Sequence, residues 1–260
     1  MFPTLFHIGS FAVHSYGLLV ALGFLVGLTY AARRARARDL DPQRVTDLGV
    51  LVLLAGLVGS KLLLILLNWR WYWAYPEQLW GSLRLGGVYY GGLIAALLAA
   101  AWYLRRHRLD FWQLGDTIVP ALAVGQAIGR LGCFAAGCCY GKPAQLPWAV
   151  TFHSQEAHDL VGVPLGVALH PTQLYLSLAD FALWLGLLWV ERRQSFRGQV
   201  TLAYLIGYAL LRGLVEIWRG DDRGFLPGTP LSTAQAIGVA LVVVATLLYL
   251  RRRAHARGAA

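Results

Sequence analysis

Arg212 stands in an otherwise apolar segment, residues 201–218, with Glu216 one helical turn further on. A charge at membrane depth costs roughly 2.5–3.5 kcal/mol on insertion scales, so such residues usually serve a function and usually find a partner. Tyr208, Arg212, Glu216 and Arg219 are spaced i, i+4, i+8, i+11, which places them on one face of a helix. The stripe is either an ion-pair seam between helices or a site for a charged group. A guanidinium presents a planar, permanently charged fork that matches phosphate.

A second dense motif is Gly129-Arg-Leu-Gly-Cys-Phe-Ala-Ala-Gly-Cys-Cys-Tyr-Gly141. Its glycines permit sharp turns and close backbone approach, and Arg130 is a second phosphate candidate beside the plainer reading of small-residue helix packing. Gly86-Gly-Val-Tyr-Tyr-Gly-Gly92 offers Tyr90 as a phenol for acid–base work or, equally, as part of an interfacial aromatic belt. His170-Pro-Thr-Gln-Leu-Tyr175 reads as a helix start with Pro171 in the first turn, and supplies His170 and Gln173. Lys61 snorkels, pairs or meets an anionic headgroup. Asp180 lies deep in an apolar run with no partner evident from sequence. Cys133, Cys138 and Cys139 leave three readings open: a metal site, one disulfide with a leftover thiol, or small packing residues.

The elements that must position these groups follow from composition. The 260 residues are 57% apolar and 14% charged, with mean hydropathy +0.53; soluble domains average about 25% charged residues. Crossing the hydrocarbon core takes ~20 mainly apolar residues as a helix. Candidate spans are 11–32, 46–67, 87–104, 116–134, 172–190, 200–218 and 233–250, with 116–134 interrupted by Pro120 and glycines. The expectation is an all-α, polytopic membrane protein of about seven helices in a single integral domain, 1–260. The first apolar run lacks a basic leader and a cleavage site, and reads as a retained span.

The net charge of +10 sits in short clusters flanking the apolar runs: Arg33, Arg34, Arg36, Arg38 and Arg44; Arg105, Arg106 and Arg108; Arg192, Arg193 and Arg197; and Arg251, Arg252, Arg253 and Arg257. Fewer basic residues, Arg70, Arg84, Arg130, Lys142, Arg219 and Arg223, fall on the opposite side. This asymmetry speaks for anionic-lipid contact rather than nucleic acid, and predicts the N-terminus outside and the C-terminus cytoplasmic. With that orientation Tyr16, Tyr90, Arg130, His170 and the Arg212 stripe gather toward the outer leaflet. No Walker loop, Gly-x-Ser-x-Gly elbow or His-Glu-x-x-His motif is present, which argues against ATP-driven transport and zinc proteolysis.

Seven short motifs in order carry a resemblance over nearly the whole chain. They are Ser15-Tyr-Gly-Leu18, Gly86-Gly-x-x-Tyr-Gly-Gly92, Asp116-x-x-x-Pro120, Gly129-Arg-Leu-Gly-x-Phe134, His170-Pro-Thr-Gln-Leu-Tyr175, Tyr208-x-x-x-Arg-x-x-x-Glu-x-x-Arg219 and Ser232-x-x-Gln235. Together they resemble the prolipoprotein diacylglyceryl transferases of the bacterial inner membrane. The resemblance implies transfer of the diacylglyceryl group of phosphatidylglycerol to the lipobox cysteine of a preprolipoprotein signal peptide, the first step of lipoprotein maturation. It implies a site facing the periplasmic leaflet and no metal or nucleotide cofactor. On the matching positions it assigns Arg130, Arg212, Tyr16 and Glu216 to catalysis; Tyr90 joins them by position alone, as a candidate beside His170 for relaying a proton. It associates Tyr208 and Gly141, with the two arginines, with substrate binding; Arg219, His170, Gln173 and Lys61 are substrate-binding candidates from the reading of the residues. This chain departs from the family pattern in having Tyr90 where some members carry His, Cys133 where Asn is frequent, and Leu176 where Glu is frequent. A divergent homologue moving another lipid group, and a non-enzymatic phospholipid carrier or flippase, are the alternatives.

Overall fold

The computed structural model describes residues 3–9, 11–79, 86–221, 224, 228 and 231–258. Arg84 and Arg223 of the charge pattern, and Met1, Phe2 and Ser10 of the N-terminal reading, lie outside the described residues. Helices dominate: α1 Ser15–Arg36, α2 Pro42–Leu67, α3 Trp69–Ala74, α4 Tyr89–His107, α5 Phe111–Ala136, α6 Gln155–Val161, α7 Thr172–Glu191, α8 Gln199–Glu216 and α9 Thr233–Gly258. Each expected span carries a helix, and α1, α2, α5, α7 and α9 are long and apolar enough to cross a membrane. Exposed leucines and valines such as Leu54, Leu57, Val58, Val243 and Leu247 are what a lipid-facing helix surface requires, because lipid leaves no reason to bury them. The protein has an all-α, polytopic membrane fold.

Two expectations are corrected. Residues 11–14 are not the start of the first span: β1 Thr4–Ile8 and β2 Phe11–His14 form an antiparallel hairpin, and α1 begins at Ser15, tied by its backbone N–H and its hydroxyl to the Pro3 carbonyl at 2.9 and 3.2 Å. Pro120 does not interrupt the fourth span; α5 runs through it unbroken. Membrane helices tolerate proline where neighbouring helices pack against the freed backbone, and Val119 and Ala123 beside it are buried in a core with Leu187, Val200 and Tyr204.

The chain forms two compact units, residues 31–114 and residues 1–30 with 115–260. In the first, α2 and α4 approach backbone to backbone. A Cβ added at Gly59 would lie 2.6 Å from the Gly91 carbonyl oxygen, and one at Gly91 would lie 2.5 Å from the Leu63 Cβ. Only glycine fits either position, and the short separation is what small-residue packing in membranes achieves. Asp41 caps α2, accepting from the Gln43 N–H at 2.9 Å.

In the second unit the Asp116 carboxylate of α5 is fully buried and receives the N-terminus of α8. It accepts from Gly198 N–H at 2.6 Å and from the Thr201 N–H and hydroxyl, both at 2.8 Å. A carboxylate there satisfies orphan donors and complements the helix dipole. Halfway along, the Tyr204 hydroxyl donates to Gln126 at 2.8 Å. Beyond the C-terminus of α5, residues 137–171 fold into a small cap. In it, β3 Val150–Thr151 pairs with β4 Ala168–Leu169, and Phe152, Ala157, Val163 and Leu169 form a separate core.

Candidate active site

The cap is joined to the end of α8 by a three-way backbone seam. Gly141 N–H donates to the His170 carbonyl at 3.0 Å, Lys142 N–H to Trp218 at 2.8 Å, and Gly220 N–H to Tyr140 at 3.1 Å. Gly141 is pressed into this seam so tightly that a Cβ would lie 2.5 Å from both the Cβ and the carbonyl oxygen of His170, and 2.8 Å from the Trp218 oxygen. These are neighbours that no rotamer change can move. Gly141 is therefore the residue that lets the cap and the end of α8 approach this closely.

The stripe on α8 is largely as its spacing indicates. The Arg212 and Glu216 side chains form an ion pair and are 12% and 7% exposed. Arg219, expected on the same helix face, lies beyond the last turn, in a bridge opposite Gly141. It still reaches Glu216 at 3.6 Å, while two hydrogen bonds of 2.8 and 2.6 Å commit it to Asp221. Burial works against the Arg219 charge, but the bonds to Asp221 outweigh it and hold its pKa above the usual guanidinium value.

Arg130, in the last turns of α5, faces this stripe. It interacts electrostatically with Tyr208, Cys133, Cys139 and Asp180, and among the described residues it forms no ion pair. Asp180 is the residue whose role sequence reasoning missed. It is fully buried on α7, both Arg130 and Arg212 act on its carboxylate, and one of its oxygens has no hydrogen-bond partner among the described residues. The signal in the sequence was the acid itself, deep in an apolar run. What the sequence lacks is that guanidiniums from two other helices both act electrostatically on it. Tyr16, in the first turn of α1, joins the same neighbourhood, within electrostatic reach of Arg130 and the three cysteines. Thus Arg130, Arg212, Tyr208, Glu216, Arg219 and Tyr16 come together.

The remaining candidates are placed otherwise. The His170 ring meets the Tyr175 hydroxyl at 3.2 Å and packs near Trp218, while its backbone holds Gly141 and Lys142. Gln173 is buried and donates to the Cys138 carbonyl at 2.8 Å, so it holds a loop. Tyr90 and Lys61 belong to the other unit, 31–114. There the exposed Tyr90 ring packs edge-on against Tyr89, and the Lys61 ammonium points at the Gly86 carbonyl at 3.5 Å.

A pair of guanidiniums at one end of the helices, flanked by phenols and a buried acid, suits a phosphate ester held in a low-dielectric setting. Comparison with known proteins narrows this. The family model for prolipoprotein diacylglyceryl transferase matches residues 3–251. The chain belongs to the prolipoprotein diacylglyceryl transferase family. A phosphatidylglycerol–prolipoprotein diacylglyceryl transferase of Clostridium tetani is 34% identical over 96% of this chain and 97% of its own length. One from Synechococcus elongatus is 35% identical over 85% and 78%, and one from Geobacillus kaustophilus is 32% identical over 95% and 91%. Membership of this family makes the chain a multi-pass membrane transferase.

Proposed function

We propose that this member of the family transfers the diacylglyceryl group of phosphatidylglycerol to the lipobox cysteine thiol in the signal peptide of a preprolipoprotein. The setting is the outer leaflet of the bacterial inner membrane, with the N-terminus outside, the C-terminus cytoplasmic, about seven spans, and residues 1–260 acting as one enzyme. The observation that carries this reading is that Arg130 and Arg212, from two different helices, both act electrostatically on the one buried carboxylate of Asp180.

The thiolate sulfur attacks the glycerol CH2 carbon that bears the phosphodiester oxygen. The S–C bond forms, the C–O bond breaks, and glycerol 1-phosphate leaves with the electron pair. The thiol proton is lost on the way, and the leaving phosphomonoester, with a second pKa of about 6, is its eventual acceptor. Arg130 and Arg212 stabilise the growing phosphate charge, each removable at a cost of ~10²–10³-fold in rate if it acts as such groups usually do. Glu216 holds Arg212 in its rotamer and tempers its charge. Tyr208 and Tyr16 flank Arg130, and His170 relays the proton.

The test is to incubate the purified chain with labelled phosphatidylglycerol and a lipobox peptide. A thioether-linked diacylglyceryl peptide supports the reading. Lipid bound without product points instead to a carrier, and turnover with only another lipid to a divergent transferase. Reporter fusions after Arg44 and Arg197 test the orientation, with both expected in the cytoplasm.

A further inference from the structure

The three cysteines take no part in the transfer just described, yet they are not scattered packing residues. The Sγ atoms of Cys133, Cys138 and Cys139 all lie within 4.8 Å of one another, and none of the three is in a disulfide. Cys133 sits in the last turn of α5. The chain then turns at Gly137, with φ of +81°, and bends again at Cys139, with φ of +62°. A left-handed conformation is unusual for cysteine, and it persists only where surrounding structure enforces it. Here Thr172, fully buried at the start of α7, donates its hydroxyl to the Cys139 carbonyl at 2.7 Å, and Gln173, equally buried, donates to the Cys138 carbonyl at 2.8 Å. A bend that positions two consecutive thiols against a third is thus fixed from a different helix.

Positive charge lies beside the trio. Arg219, 95% buried by its 5% exposure, sits against Cys139 with one guanidinium nitrogen lacking a hydrogen-bond partner among the described residues. Arg130 acts on both Cys133 and Cys139. Three thiolates around a monovalent or divalent ion leave one or two negative charges, and these two guanidiniums offset them in a setting where a bare anion would be costly.

We propose that Cys133, Cys138 and Cys139 bind a single thiophilic d10 cation, Cu+ or Zn2+, through three sulfur atoms. Such ions are selected by soft thiolate donors. At metal–sulfur distances of about 2.3 Å the sulfurs of a trigonal or tetrahedral centre lie about 4 Å apart, so the trio has only to close by about 1 Å or less. Three thiolates complete a trigonal Cu+ centre, while Zn2+ would add a water as fourth ligand. A disulfide would use two of the sulfurs and strand the third; a metal uses all of them.

The experiment uses the full chain, purified in detergent under reducing, anaerobic conditions and stripped with a chelator. Cu+ and Zn2+ are each titrated in competition with a chromogenic chelator, and X-ray absorption reports the ligand shell. The expected result is one ion per chain in a shell of three sulfurs at about 2.3 Å. Affinity should fall by about 100-fold or more in Cys133→Ser and in the half-buried Cys138→Ser, beyond the ~10–100-fold usual for losing an outer partner. Monodisperse elution and an unchanged melting profile show that each variant is folded, and the half-buried position serves if the buried one is not. Saturable one-to-one binding of either ion carries the proposal, and the preferred ion gives its charge. Binding no tighter than that of C133S/C138S/C139S overturns it. So does a disulfide among these residues in protein alkylated directly from membranes.

Discussion

Replacing Arg212 with alanine has two separable effects. The Arg212 and Glu216 side chains are 12% and 7% exposed, so water screens their pair weakly. Removing the guanidinium leaves Glu216 with Arg219 alone, at 3.6 Å, and Arg219 is already engaged by Asp221. Breaking a buried pair from one side costs ~3–5 kcal/mol, and the surviving contact brings the expected loss to about 3 kcal/mol. Separately, losing a charge that stabilises the leaving phosphate slows turnover by ~10²–10³-fold. Adding Glu216→Gln distinguishes the two, because the double variant no longer buries an unpaired carboxylate. Its melting temperature in detergent should recover most of what Arg212→Ala lost, while diacylglyceryl transfer to a lipobox peptide stays depressed. The reasoning is refuted if the folded double variant transfers lipid at close to the wild-type rate.

Asp180→Asn keeps the shape but removes the negative charge on which Arg130 and Arg212 both act. We expect tighter phosphatidylglycerol binding with kcat reduced by up to ~10²-fold, the usual penalty for a misplaced charge clamp; steady-state kinetics with both parameters unchanged would exclude a role. Gly141→Ala forces a Cβ to 2.5 Å from the His170 carbonyl oxygen. It should cost about 1–3 kcal/mol, read by thermal melting, and abolish most activity by displacing the seam. Gly91→Leu should separate α2 from α4 and lower the melting temperature by a comparable free energy, about 3 kcal/mol, with rapid proteolysis as a second readout.

Much of the helical framework was legible because lipid imposes simple demands: an apolar run of sufficient length must be helical, since its backbone has no other partner. Hence a helix occupies each of the seven runs, including the one with Pro120. The 11–14 segment was misread because four residues, three of them apolar, at the head of a longer apolar run look like more of that run. The pairing that makes them a strand lies back at Thr4–Ile8. The cap was invisible for a similar reason: β3 and β4 have two residues each and owe their form to each other. Within the site, Tyr208, Arg212 and Glu216 share one helix, so period alone aligned them. Arg219 departs because the helix stops at Glu216, where the seam with Gly141 takes over the backbone bonding. The meeting of Asp180 with Arg130 and Arg212 involves three helices, and no spacing within one segment can encode it.

Asp116 has a consequence at the far end of the molecule. Its carboxylate grips Thr201, which is 11 residues, or about three turns and 16 Å, before Arg212 on α8, while Asp116 itself is 14 residues, or about 21 Å, before Arg130 on α5. Eleven residues are so near a whole number of turns that Arg212 stands almost directly above the clasped threonine. One acidic side chain thus sets the rotational phase of the two rods against each other, as a keyed shaft does. A slip there would swing one guanidinium away from the other without touching either.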